Sequence, residues 1–448
     1  MDIEKKSFKD HEKMYVLSAD MGYGHQRAAY PFLNMAEGKV ITINDYEGIA
    51  DWEKEYWRSS LKQYELLSYF KKIPILGGWA FSLMDLFQKI PPFYPHRDLS
   101  SPSLQEKYFY KKIEQGIGKN LIERLNENPL PLVSTFFVGA YCAEYYNYKG
   151  EIYLVVCDAD VSRSWAPLDP FNTRIKFLVP NRRVKDRLVL YGVKAENIFA
   201  TGFPLPKENI GIDDWEFLKV DVYKRLAVLD PKGVYRKKYA KLLEAYLCAE
   251  DCKIEEPWRP LTVTFAIGGA GAQRDLGTLI LKKLKNKLVE SKIRFNLVAG
   301  CRQDVFDYYS KVLKDLFLHN NENVKIIFDK DKMESFKKLN MVLRESDILW
   351  TKPSELSFYS GLGLPIIMTE PIGSQEEYNR RWLLGIGAAV DMKNPNYVDE
   401  WLFDFLDSGW LAEAAMRGYL NAPKMGTYNI ENIVLHHKVN EIDDVRLL

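Results

Sequence analysis

Cysteine is scarce in this chain: five in 448 residues, at positions 142, 157, 248, 252 and 301. So few thiols, odd in number, exclude a disulfide-stapled scaffold, and we read them as free. Only Cys248 and Cys252 stand close, at a spacing that fits one helical face. An excess of either charge is also missing, since 62 Lys and Arg balance 61 Asp and Glu. That excludes the basic footprint of a nucleic-acid binder, so any ligand must be attracted locally. No window approaches the roughly 18 to 20 apolar residues of a spanning helix, which excludes an integral membrane protein of that kind. Residues 1–13 (MDIEKKSFKDHEK) are charged and have neither the apolar core nor the cleavage pattern of a signal peptide, so the expected location is the cytoplasm.

What is abundant is apolar and aromatic. The hydrophobic share is 47%, with 27 Tyr, 23 Phe and 10 Trp. The length calls for two or three domains. Short β-rich runs recur, each followed by a turn and an amphipathic stretch, the pattern of βαβ units and parallel sheets. In the first half the expected strands are Met14–Ser18, Lys39–Ile43, Leu132–Phe137, Glu151–Cys157 and Arg174–Val179. In the second they are Leu261–Ile267, Arg294–Ala299, Val324–Phe328, Ile348–Trp350 and Pro365–Met368. The expected domains are 1–206 and 259–425, with a helical connector at 207–258 and a last helix in 426–448. Residues 51–128 interrupt the first domain with helical, aromatic sequence (YELLSYF, IPILGGWAFSLMDLF, IPPFYP). This insertion is either packed on its own domain or offered to a lipid acceptor or bilayer surface.

Three strings carry chemistry. Ser18-Ala19-Asp20-Met21-Gly22-Tyr23-Gly24-His25 follows the first strand and opens a helix. Gly22 and Gly24 permit a tight turn and close backbone approach, and His25 is either a general base or a capping and packing residue. Ala266 to Gln273 carries Gly268, Gly269 and Gly271 at a strand end. A glycine-lined helix start favours a pyrophosphate, though no Gly-Lys-Ser/Thr follows, so it is not a P-loop. The third string joins Thr351-Lys352-Pro353-Ser354-Glu355 to Pro371 through Asn379, with Gln375 and Glu376. Polar groups after consecutive strand ends belong at the carboxyl edge of a sheet, where they either hold sugar and ribose hydroxyls or cap helices.

In order and separation the three strings resemble the glycosyltransferase family that includes monogalactosyldiacylglycerol synthase and the peptidoglycan enzyme that adds N-acetylglucosamine to lipid I. The resemblance covers residues 14–30 and 150–390, including Thr201-Gly202-Phe203-Pro204 at the domain exit, and leaves 51–128 unmatched. It implies the GT-B architecture, two doubly wound Rossmann-like domains facing a central cleft, with a hinge near Phe203–Lys207. It further implies a hexosyl transfer from a UDP-sugar to a hydroxyl acceptor, possible on a lipid-linked substrate at a membrane surface, with inversion and without metal or cofactor. Gly268, Gly269 and Gly271 would face the diphosphate, with Lys352, Glu355, Gln375, Glu376 and Asn379 around the donor. His25 would activate the acceptor, with Asp20 as its partner.

This chain departs from the family where it reads Lys352-Pro353-Ser354-Glu355, and Ser360 stands where a ribose-gripping glutamate is usual. The family's Thr-Asp segment appears as Cys157-Asp158-Ala159-Asp160-Val161-Ser162-Arg163-Ser164-Trp165, without histidine. Asp158, Asp160 and Arg163 either bind an acceptor headgroup or, for Arg163, pair with an aspartate at the surface. Two other functions remain open from sequence: a UDP-sugar epimerase or hydrolase of the same fold, and a silent nucleotide-sugar-binding protein.

Overall fold

Runs such as Ile152–Val155 (IYLV) and Leu261–Ala266 (LTVTFA) are buried at every position, as strands covered on both faces must be. The computed structural model describes residues 12–70, 89–211, 215–247, 259–266, 273–371 and 373–439. Gly268, Gly269, Gly271, Cys248, Cys252 and residues 71–88 of the aromatic insertion lie outside the described residues.

The chain divides into two units. Unit 1 comprises Met1–Pro204, Ile372–Tyr378 and Met425–Leu448. Its strands are β1 (Tyr15–Ser18), β2 (Ile41–Thr42), β3 (Leu132–Ser134), β4 (Ile152–Val155), β5 (Lys176–Val179) and β6 (Ile198–Ala200). All pair in parallel, in the order β2-β1-β3-β4-β5-β6. Its first helices are α1 (Tyr23–Ala29), α2 (Asp51–Phe70), α3 (Leu104–Glu114), α4 (Lys119–Leu125), α5 (Phe137–Tyr145) and α6 (Arg182–Leu190).

Unit 2 comprises Leu205–Pro371 and Asn379–Lys424. Its strands are β7 (Leu261–Ala266), β8 (Ile293–Gly300), β9 (Val324–Phe328), β10 (Ile348–Thr351), β11 (Ile366–Met368) and β12 (Ala389–Asp391). They too are all parallel, in the order β12-β11-β10-β7-β8-β9. Its helices are α7 (Glu216–Leu229), α8 (Val234–Lys238), α9 (Ala240–Leu247), α10 (Arg274–Val289), α11 (Gln303–Asp315) and α12 (Lys332–Glu345). Then come α13 (Ser374–Ile386), whose first turn counts with unit 1, α14 (Val398–Asp407) and α15 (Trp410–Asn421). Each unit is thus a doubly wound, Rossmann-like sheet, the component from which the GT-B fold class is built.

Four details differ from the sequence expectation. The strand expected over 132–137 stops at Ser134, because Phe137 opens α5. Ser134 Oγ donates to Phe136 O at 2.6 Å and accepts from Phe136 N at 3.3 Å, a side-chain turn that competes with the ladder. β6 and β12 are additional edge strands. The helices of 216–247 belong to unit 2 and are not a separate connector, because Arg225 is buried among its carbonyls. Its guanidinium donates to Ser346 O and Leu362 O at 2.7 Å and to Leu343 O at 3.2 Å. The last helix, α16 (Gly426–His436), returns to unit 1, where Ile430 and Val434 join Val16, Val133 and Leu178 in one apolar cluster. Gly426 allows that return, since a Cβ there would lie 2.1 Å from Phe203 O. Among the described residues no helix is long and apolar enough to cross a membrane.

Candidate functional site

Parallel α/β sheets take ligands at the carboxyl ends of strands whose outgoing connections leave in opposite directions. Unit 1 has β2 and β3 on opposite sides of β1, so its switch point lies between β1 and β3. Unit 2 switches between β7 and β10.

At the unit 1 switch point, β1 ends at Ser18 and the loop reaches α1 through Gly22, whose φ of 112° suits only glycine. Gly24 falls in the first turn of α1. Asp20 is anchored through its backbone: its N–H donates to Asn44 Oδ1 at 2.9 Å and its carbonyl accepts from Asn44 Nδ2 at 3.2 Å. His25 is half-buried, with Nδ1 2.7 Å from Thr135 O. A carbonyl can only accept, so Nδ1 carries hydrogen and the neutral ring keeps its lone pair on Nε2. Thr135 also ties its own N–H to Leu17 O at 2.9 Å and its hydroxyl to His25 O at 2.8 Å. The ring is flanked by Phe136 and Trp165, at centroid distances of 4.9 and 6.2 Å. This arrangement can orient a proton acceptor at the sheet's carboxyl edge.

The next strand end is braced internally. Arg163 does not pair with an aspartate at the surface: it is 7% exposed and its partner is Glu106, itself 0% exposed. All five of its N–H groups are engaged, with Glu106, Ala166 O and Pro167 O, and two with Ser100 O. Glu106 also closes the capping box of α3 with Ser103. Burial pushes the Glu106 carboxyl above its ordinary range, against the opposing pull of Ser103 and Arg163. Asp160, 1% exposed, accepts from Arg183 Nε at 3.0 Å and from Arg187 Nε and Nη2 at 2.8 Å. Burial works against the Arg187 charge, yet Asp160 outweighs it and raises the pKa. Asp158, the third residue expected on the acceptor side, is half-buried beyond β4.

At the unit 2 switch point the ends of β7 and β10 are pinned together, Thr351 Oγ1 donating to Ala266 O at 2.9 Å. Lys352 and Ser354 follow, half-buried, and Glu355, 9% exposed, opens a 3-10 helix to Leu362. Asn379 is fully buried and its Nδ2 donates to Pro353 O at 3.3 Å, so it holds the Lys352–Glu355 turn from behind. Thr369, after β11, donates to Gln273 Oε1 at 3.0 Å. Gln375 and Glu376 lie half-buried in the first turn of α13, within the stretch that counts with unit 1.

Sequence reasoning missed Thr135, Asn44, Arg183 and Arg187. Thr135 and Asn44 do stand just past strands, at the positions where the switch-point rule looks for polar residues, so knowledge of strand order would have found them.

Residues 303–432 match a family model described as a domain of unknown function (DUF6938). No curated protein sequence matches the chain. Among solved structures, an S. aureus MnaA–UDP co-structure is similar at 13% identity and TM-score 0.47, over 95% of this chain and 97% of that one. Acinetobacter baumannii MurG is similar at 12% identity and TM-score 0.46, over 94% and 99%. Anabaena HepE in complex with UDP is similar at 12% identity and TM-score 0.42, over 93% and 97%. Likeness at this level assigns no chemistry, and the fold rests on the strand orders described above.

Proposed function

We propose that the chain is a glycosyltransferase that moves a sugar from a nucleotide-sugar, a UDP-sugar in the first instance, to a hydroxyl acceptor. The observation that carries this reading is the His25–Thr135 lock at the unit 1 switch point, which holds an imidazole in the tautomer a general base needs. The polar turn Lys352–Glu355 at the unit 2 switch point supports a donor site in that unit. Lys352 supplies a cation for the diphosphate, and Glu355 supplies an acceptor for hydroxyls.

In the reaction, His25 Nε2 takes the proton of the acceptor hydroxyl as its oxygen attacks the anomeric carbon. The new C–O bond forms as the bond to the diphosphate oxygen breaks, so the nucleoside diphosphate leaves and the configuration inverts. Positioning and charge stabilisation supply most of the barrier reduction in such a displacement.

The test is a thermal-shift series with UDP-, GDP-, dTDP- and CMP-sugars, because a ligand that binds only the folded state raises its melting temperature. One nucleotide family is expected to shift it, and silence with all four at millimolar concentration sinks the reading. Replacement His25→Ala is then expected to lower kcat about 10²- to 10⁴-fold, the usual worth of a general base, with the donor's thermal shift unchanged. Equal turnover removes His25 from the mechanism.

A further inference from the structure

Arg187 uses two of its three guanidinium nitrogens, Nε and Nη2, on Asp160 at 2.8 Å each. A planar guanidinium bound in this way turns Nη1 away from the carboxylate. Among the described residues Nη1 has no hydrogen-bond partner, although the Arg187 side chain is 0% exposed. A buried donor left unmet is costly, the more so when it is charged, so its persistence asks for an acceptor that the described residues do not supply.

Three further features say what kind of acceptor. Arg183, one turn earlier on α6, shares Asp160 and is 26% exposed, so two guanidinium charges face one carboxylate and the cluster keeps a net positive charge. Arg183 is the second residue of α6, whose N-cap Asn181 follows β5 by two residues on the carboxyl edge of the sheet, and Arg187 lies one turn further on. Amides at a helix start add to the attraction for an anion. Phe93 covers the pair, its ring centroid 3.7 Å from Arg183 Cζ and 5.1 Å from Arg187 Cζ. The stretch that carries Phe93 is tied to the Gln375–Tyr378 string, since Ile90 O accepts from Tyr378 Oη at 3.5 Å.

We propose that Arg183 and Arg187 form a subsite for a phosphate group carried by the acceptor, and that the Phe93 ring lies over it until the ligand displaces it. Phosphate oxygens would accept from Arg187 Nη1 and the Arg183 guanidinium while Asp160 holds both side chains in place. The word acceptor rests on the glycosyltransferase reading; the phosphate subsite does not.

The test uses the full chain in two arms, calorimetric titration with inorganic pyrophosphate and sedimentation with phosphatidylcholine vesicles containing phosphatidic acid. Arg183→Gln leaves the buried Arg187–Asp160 pair intact and is expected to weaken binding at least tenfold in one arm. The arm that responds identifies a soluble or a lipid-borne phosphate. Phe93→Ala is expected to bind at least as tightly as the parent, because the cover is gone. Equal binding by parent and Arg183→Gln in both arms, including no binding by either, overturns the proposal, and weaker binding by Phe93→Ala overturns the role of the ring. The thermal shift with nucleotide-sugars, read in parallel on Arg183→Gln, reports the donor reading separately.

Discussion

His25 and Thr135 exchange two hydrogen bonds, ring Nδ1–H to the Thr135 carbonyl at 2.7 Å and Thr135 hydroxyl to the His25 carbonyl at 2.8 Å. One bond fixes the ring and the other fixes the first turn of the helix that carries it. Because Thr135 also binds Leu17 O through its N–H, the imidazole is referenced to β1 and β3, the two strands that flank the switch point.

The two bonds can be separated by Thr135→Val, which keeps the carbonyl and N–H but removes the hydroxyl. A neutral hydrogen bond contributes about 0.5–1.5 kcal/mol, so the urea midpoint is expected to fall by an amount of that order. Turnover is expected to fall up to about tenfold with KM for the donor unchanged, since misplacement of a catalytic group acts on the transition state. Unchanged kcat would mean that the ring bond alone positions His25.

Gly22→Ala tests the turn before α1. A Cβ at Gly22 would meet nothing within 4 Å, so space does not forbid it, but φ is 112°. The cost is therefore backbone strain, about 1–3 kcal/mol. Denaturant unfolding reads it directly, and a loss below about 0.5 kcal/mol would show that the loop relaxes into an ordinary conformation.

Asp160→Asn separates a bracing role from a surface one. Removing one partner of a buried ion pair typically costs about 3–5 kcal/mol, because the remaining charge is stranded. The exposed pair of Lys54 and Asp45, with side chains 34% and 62% accessible, is the control. Asp45→Asn is expected to cost no more than about 1 kcal/mol. Similar losses for the two variants, by urea unfolding, would refute the brace.

Much of this fold was legible because buried parallel strands leave unbroken apolar runs: IYLV at 152–155 and LTVTFA at 261–266 announce themselves. β6 and β12 did not, since each has three residues, two of them half-buried, too short and too mixed for a periodic signal. The site was legible in part for a related reason. His25 and Lys352 follow strands within one local string, whereas Thr135 lies 110 positions from His25 and meets it only because β3 sits beside β1. Arg163 misled for the opposite reason. A charged residue after a strand looks available, and only the packing of α3 reveals that the hydrogen bonds of Arg163 are spent.

Lys424 gives the pH test. Its Nζ donates to Tyr419 O at 2.7 Å and lies 4.8 Å from the ring centroids of Trp215 and Tyr419. Burial pushes its pKa down to about 8 from an ordinary 10.5. Below about 8 the amine is protonated in folded and unfolded chains alike, and the folded state bears the cost of a desolvated charge. Between about 8 and 10.5 the folded chain gives up the proton first, so the unfolded state binds more protons and stability rises with pH. Lys424→Met abolishes that titration. The stability of the parent relative to the variant is therefore expected to be flat from pH 6 to about 7 and to rise from pH 8 to 10, read as urea unfolding free energies at each pH. The difference between the two proteins cancels every other titrating group, including the surrounding tyrosines. A difference that stays flat to pH 10 would mean that the Lys424 ammonium keeps its hydration in the folded state.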